Sequence, residues 1–158
     1  MLERYARPQM LRIWSLENQY RKWLEVEIAV CEAWAELGAI PPEAAEAIKG
    51  RARFDPEEIA RIESRTHHDM IAFLENVSGY IGEEARYLHY GLTSSDVKDT
   101  ALALQLRESL DLILADVDEV VGELKAQAFR HRDTLMMGRT HGVFAEPITL
   151  GVVFARWA

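Results

Sequence analysis

Apolar residues recur along this chain at spacings of three and four, and they mark one helix after another. From Pro8 to Leu37 the series Leu11, Trp14, Tyr20, Trp23, Leu24, Ile28, Cys31 and Trp34 traces a helical face, which Gly38 and then Pro41 and Pro42 bring to a stop. A short helix fits residues 42–49. The next is announced by Asp55-Pro56-Glu57-Glu58, with Asp55 as N-cap, Pro56 at the first helical position and Glu58 completing a capping box, and it runs to about Arg65. Beyond the polar cluster Thr66-His67-His68-Asp69, residues 70–81 read as helix again, and Gly82 or the Tyr90-Gly91 junction breaks the pattern.

The longest element opens at Thr93-Ser94-Ser95-Asp96, whose hydroxyls and carboxylate suit the free amides of a helix start. From there Val97, Ala101, Leu104, Ile113, Leu114, Val117, Val120, Val121, Leu124 and Ala128 carry an apolar stripe through nearly forty residues. A helix of that length needs neighbours, so a bundle is expected. Leu102, Leu106, Leu110 and Leu112 lie off the stripe and widen the apolar surface, which suggests contact with another subunit. Residues 138–142 read as a loop, Glu146-Pro147 as a helix start, and the apolar run from Ile148 to Trp157 as a core helix cut short. The expectation is an all-α fold, with an N-terminal helical domain over 1–92 and the start of a long-helix bundle over 93–158, within a longer polypeptide.

Composition narrows the function. The 158 residues hold 18 Lys plus Arg against 26 Asp plus Glu, a net charge of -8, with 49% hydrophobic residues. Such a chain has enough apolar content to fold. Its acidic balance argues against nucleic acid or an anionic membrane as partner, since both attract a basic field. No apolar run approaches the roughly 20 residues that span a bilayer, and the start lacks a signal-peptide pattern, so a soluble cytoplasmic protein is expected. Cys31 is alone, which excludes an internal disulfide, and it reads as a small buried hydrophobe. Trp14, Trp23 and Trp34 read as core packing rather than a stacking surface.

Three polar islands between the helices hold the candidate chemistry. Thr66-His67-His68-Asp69 puts imidazoles beside a carboxylate, a pairing suited to proton transfer, although the same cluster could simply cap a helix. His89 to Asp96 joins hydroxyls to helix-start amides, which can receive a carboxylate or phosphate or serve as an ordinary cap. Gly138-Arg139-Thr140-His141-Gly142 offers a cation and a proton donor between two glycines, or a plain turn with an exposed histidine. No His-Glu-x-x-His, Gly-rich phosphate loop or Gly-x-Ser-x-Gly elbow occurs, which favours chemistry without metal or cofactor.

In order along the chain, Arg4 to Met10, Ile13-Trp14, Trp23 to Glu27, Thr66 to Phe73, His89 to Ala101 and Gly138 to Pro147 resemble the fumarase and aspartase superfamily of helical lyases. The opening Arg4-Tyr5 and the Thr66 to Asp69 segment are similar to its adenylosuccinate-cleaving branch. His67 stands where relatives often carry Arg or Lys. Phe144 stands where His is frequent, and it is assigned no polar role.

The resemblance implies β-elimination of fumarate from a succinyl-purine nucleotide without a cofactor. On carry-over, His141 is the general acid, and His68, oriented by Asp69, is the supporting or alternative proton carrier. Thr93 and Ser94 bind a substrate carboxylate, Arg4 and Tyr5 hold the nucleotide end, and His67, His68 and Asp69 line the substrate. The resemblance also implies a homotetramer with active sites shared between subunits. The general base would be a serine on a loop that these residues do not contain, so the 158 residues alone are expected to be inactive. The alternatives are another superfamily lyase, of argininosuccinate or carboxymuconate type, and a noncatalytic helical oligomerisation module.

Overall fold

A computed structural model describes residues 3–158. After a 3-10 turn at Glu3–Tyr5 come α1 (Pro8–Ile13), α2 (Leu16–Glu36), α3 (Pro42–Arg51), α4 (Pro56–Thr66) and α5 (Asp69–Ile81). A second 3-10 turn, Glu83–Tyr87, leads to α6 (Ser94–Arg130), the strands β1 (Leu135–Thr140) and β2 (Val143–Thr149), and α7 (Leu150–Trp157). The fold is predominantly helical, as the spacing pattern requires. It divides into two compact units, the first closing at Ser109 and the second comprising Leu110–Ala158.

In the first unit the predicted helical face of residues 8–37 is two helices. Ser15 interrupts it: its Oγ accepts the amide N–H of Asn18 and so caps α2. The freed carbonyl of Ile13 is satisfied by the amides of Asn18 and Gln105 at 3.0 and 2.8 Å. Around α2 the core is aromatic. Tyr20 stacks on Phe73 at 5.7 Å between centroids, and Trp23 meets Phe73 edge-on at 5.4 Å. Ile48, Ile59, Met70, Val77, Ile81 and Val97 complete it, each with at most 1% of its surface exposed. Trp14 is the exception among the expected core tryptophans, for it stays 36% exposed.

Asp55 caps α4 as predicted, accepting from the amides of Glu57 and Glu58. Glu58 does not close the capping box. The amide of Asp55 donates instead to Asn76 Oδ1 at 2.9 Å, and Glu58 pairs with Arg61. A partner on α5 thus replaces the local one and ties the two packed helices together.

The second unit departs from the predicted loop and helix. Residues 135–149 form an antiparallel hairpin in which Leu135 faces Thr149 and Thr140 faces Val143. Its two loop residues, His141 and Gly142, have φ of 48° and 78°. Positive φ at both is the mark of a type I′ turn, whose twist matches that of the strands. Pro147 begins no helix: it sits in β2 opposite Met137, beside a bulge between Met137 and Arg139. A two-stranded ribbon has only edge strands, where a residue without an N–H is tolerated. The helix starts three residues later, fastened by the amides of Leu150 and Gly151 to the carbonyls of Thr134 and His131 at 2.9 Å. Gly151 permits that approach, since a Cβ there would lie 2.5 Å from the carbonyl oxygen of Ala128.

Phe73 is fully buried among Tyr20, Trp23 and Phe54. Phe73→Ala should therefore cost about 3–5 kcal/mol of stability, measured by urea unfolding.

Candidate functional site

The polar islands take defined shapes because each is a helix end or a turn. Thr66 is the last residue of α4, and His67 follows it in the left-handed conformation, φ 52°, ending the helix where glycine is usual. His68 then turns the chain back and caps α5 itself: its Nδ1 accepts the amide N–H of Ile71 at 3.4 Å. A ring nitrogen that accepts is unprotonated, so the proton of the neutral imidazole sits on Nε2, the free nitrogen.

Asp69 makes no hydrogen bond to this ring. Its Oδ1 lies 3.6 Å from His68 Nδ1, beyond hydrogen-bond reach, because the same oxygen accepts from the Met70 amide and from Lys98 Nζ, both at 2.7 Å. Burial pushes the Asp69 carboxyl up, but the Lys98 ammonium, the Met70 amide and His68 outweigh it and hold it below its ordinary value of 3.8. Lys98 stands one turn into α6, so this ion pair joins the His68 loop to the start of that helix. Beside the pair is a cavity of about 280 Å³, walled also by Trp14, Trp23, Asp99 and Leu102.

Thr93 and Ser94 stand at the head of α6. Both the amide and the hydroxyl of Thr93 donate to Asp96 Oδ2, at 2.7 and 2.8 Å, and these bonds hold the Asp96 carboxyl below its usual value. The hydroxyl proton of Thr93 is committed there, which leaves its lone pairs, the Ser94 hydroxyl and the helix-start amides to meet a ligand. At the N-terminus the Arg4 guanidinium lies 4.6 Å over the Tyr5 ring, and Tyr5 is 74% exposed. His141 belongs to the second unit. It is exposed at the hairpin tip, where Arg139 Nη2 donates to the Gly142 carbonyl at 3.5 Å.

Two residues outside the predicted set belong beside these. Glu27 is fully buried on α2, and its carboxylate takes the amide N–H of His89 at 2.9 Å and lies 2.6 Å from His89 Nδ1. Burial raises the Glu27 carboxyl, while the ring and amide of His89 pull it back. The signal in the sequence was an acid on the apolar stripe of α2, four residues from both Trp23 and Cys31. Cys31 itself is buried, and burial beside Glu27 and Glu32 pushes its thiol up to about 11, which makes it inert.

Among the described residues no cluster of three or more His, Cys, Asp or Glu could hold a metal ion, and no helix is long and apolar enough to cross a membrane. A lyase family model matches residues 3–158. The chain belongs to that lyase family. It is 54% identical over 157 residues to an adenylosuccinate lyase of Synechocystis sp., covering 99% of this chain and 36% of that protein. Adenylosuccinate lyases of Aquifex aeolicus and Bacillus subtilis are each 51% identical, over 99% of this chain and 37% and 36% of theirs. Among solved structures, a fumarate lyase from Mesorhizobium sp. superposes with a TM-score of 0.90 at 35% identity, over 96% of this chain and 37% of that one. A 3-carboxy-cis,cis-muconate lactonizing enzyme from Pseudomonas putida gives 0.85 at 35% identity, over 96% and 36%. The chain thus spans little more than a third of the length of these members of the lyase family.

Folding lowers the pKa of Asp69, so the native state holds its ionised form more tightly than the unfolded chain does. That contribution is complete above the ordinary value near 3.8 and is lost as pH falls through the lower native value. Asp69→Asn should accordingly flatten the acid limb of a stability profile below about pH 4, while leaving its shape from pH 6 to 8 unchanged, as read by urea unfolding across pH.

Proposed function

We propose that these residues form the N-terminal part of an adenylosuccinate lyase, which eliminates fumarate from adenylosuccinate to give AMP and acts likewise on the succinylaminoimidazole carboxamide ribotide of purine biosynthesis. The observation that carries this reading is 51–54% identity, across nearly the whole chain, to proteins of that name. The carboxymuconate type is less alike, at 35%.

The reaction needs a base to take a proton from the carbon next to a carboxylate. It needs donors for the dianionic aci-carboxylate that follows, and an acid to protonate the nitrogen as the carbon–nitrogen bond breaks. His141 is the proposed acid. At the exposed tip of a two-residue turn, its imidazole is open to a substrate held by other parts of the full protein. His68 is the second proton carrier, with Nε2–H free because Nδ1 is engaged by Ile71.

A substrate carboxylate is received by Ser94, the outer face of Thr93 and the first amides of α6, where the helix dipole favours negative charge. Arg4 and Tyr5 hold the nucleotide end, the guanidinium suiting phosphate. His67, exposed beside His68, supplies a further donor at the substrate's edge. In this reading the base is a serine elsewhere in the parent chain, and sites are completed by sister subunits of a cytoplasmic homotetramer. The exposed apolar side chains of α6, among them Leu110, Ile113, Leu114, Val117 and Val120, are the surface such an assembly would cover.

Fumarate release from adenylosuccinate by the intact parent protein tests the reading. His141→Ala and His68→Ala should each lower kcat by about a hundredfold or more, the usual contribution of an acid–base group, and the 158 residues alone should be inactive. Near-native turnover by both variants would remove the two histidines from the chemistry, and no fumarate release by the intact parent would leave the noncatalytic helical module as the better account.

A further inference from the structure

Glu27 has no exposed surface, and both of its oxygens point at one residue 62 positions away. Oε2 accepts the amide of His89 and Oε1 meets its Nδ1, so one carboxylate fixes backbone and ring together. His89 needs that support, because its φ of 61° lies in the left-handed region that side chains disfavour. Its carbonyl then accepts the amide of Leu92 at 3.2 Å, closing the turn that delivers Thr93 and Ser94.

The same face of α2 grips this stretch twice more. Trp34 Nε1 donates to the Tyr90 carbonyl at 2.9 Å, and Cys31 Sγ lies 3.6 Å from the Tyr87 carbonyl. Glu27, Cys31 and Trp34 follow one another at helical spacing, so α2 serves as a rail for the segment entering α6. Packing alone does not account for Glu27. An apolar residue would fill the place without the cost of burying a carboxylate, which pushes the Glu27 carboxyl up.

We infer that Glu27 is a positioning residue of the candidate site, acting through His89 to fix which ring nitrogen faces ligand and to hold the turn that carries Thr93 and Ser94. Whichever partner carries it, one proton is shared along the Oε1 to Nδ1 contact. Nε2 is therefore the nitrogen left for a ligand, on a side chain 21% exposed. The inference rests on the lyase reading of the Thr93 and Ser94 turn, but its core, control of the His89 ring by Glu27, is measurable without turnover.

Two measurements on the intact parent protein test it. In a double-mutant cycle, Glu27→Gln and His89→Ala should each lower kcat/KM for adenylosuccinate by tenfold or more. Glu27→Gln should add less than about twofold in the His89→Ala background, since the two act as a unit. Losses that multiply, or a Glu27→Gln enzyme as active as wild type, overturn the inference. In the second measurement, diethyl pyrocarbonate modifies the His89 ring and peptide mass spectrometry follows the rate. Glu27→Gln should change that rate at least threefold while modification of half-buried His131, in the second unit, stays constant, and an unchanged His89 rate overturns the inference with or without turnover. A wild-type protein that releases no fumarate would sink the lyase reading and leave the chemical arm to decide the role of Glu27.

Discussion

Between Glu27 and His89 a fully buried carboxylate meets an imidazole at 2.6 Å, and the turn leading into α6 hangs on that contact. Removing the ring would leave a charge in the core with only a backbone amide for a partner, and breaking a buried pair in this way costs about 3–5 kcal/mol. The contact can form only if α2 is one rigid rod from its Ser15 cap onward, with Trp23 and Tyr20 locked against Phe73. The aromatic core and the polar site are therefore two faces of one helix. The core sets the position of the rod, and the rod sets the position of the loop.

A second fastening works at right angles to the first in sequence terms. The Lys98 to Asp69 pair links the head of α5 to the first turns of α6. With it, the loop bearing His68 and the turn bearing Thr93 and Ser94 are referred to each other as well as to α2. Partly exposed pairs of this kind add little stability, and their value here is geometric. Among the described residues, only His67, His89 and His141 combine a side chain with positive φ. Each marks an abrupt change of chain direction, and each costs about 1–2 kcal/mol more than glycine would. That cost falls on imidazoles in the three segments that carry the candidate chemistry.

The helices were legible because burial imposes a period of 3.6 on the sequence, and Asp55 and Gly82 act through neighbours a few residues away. What was not legible depends on distant partners. Asn76 supplants Glu58 at the α4 cap across 21 residues, Lys98 draws Asp69 away from His68 across 29, and Glu27 reaches His89 across 62. The hairpin escaped for another reason. Glycines at 138 and 142 suit a loop as well as a bulge and a turn, and Glu146-Pro147 suits a helix start as well as an edge strand. Only the pairing of Leu135 with Thr149 separates the two. Of the candidate site, the three loops could be read from residue types, whereas the fastenings that hold the two in the first unit could not.

The long helix shows how one element answers two demands. Val97, Ala101, Gln105 and Ser109 are buried at four-residue intervals, and they seat the part of α6 up to Ser109 in the first unit. After Ser109 no residue of α6 is buried, yet Leu110, Ile113, Leu114, Val117 and Val120 continue at spacings of three and four, all about half exposed. That period is the one a neighbouring helix recognises. A run of apolar side chains at helical spacing, without a buried face of its own, is built for packing outside the folded unit that begins it. In the proposed enzyme the same helix would carry Thr93 and Ser94 at its head and the subunit contacts along its shaft.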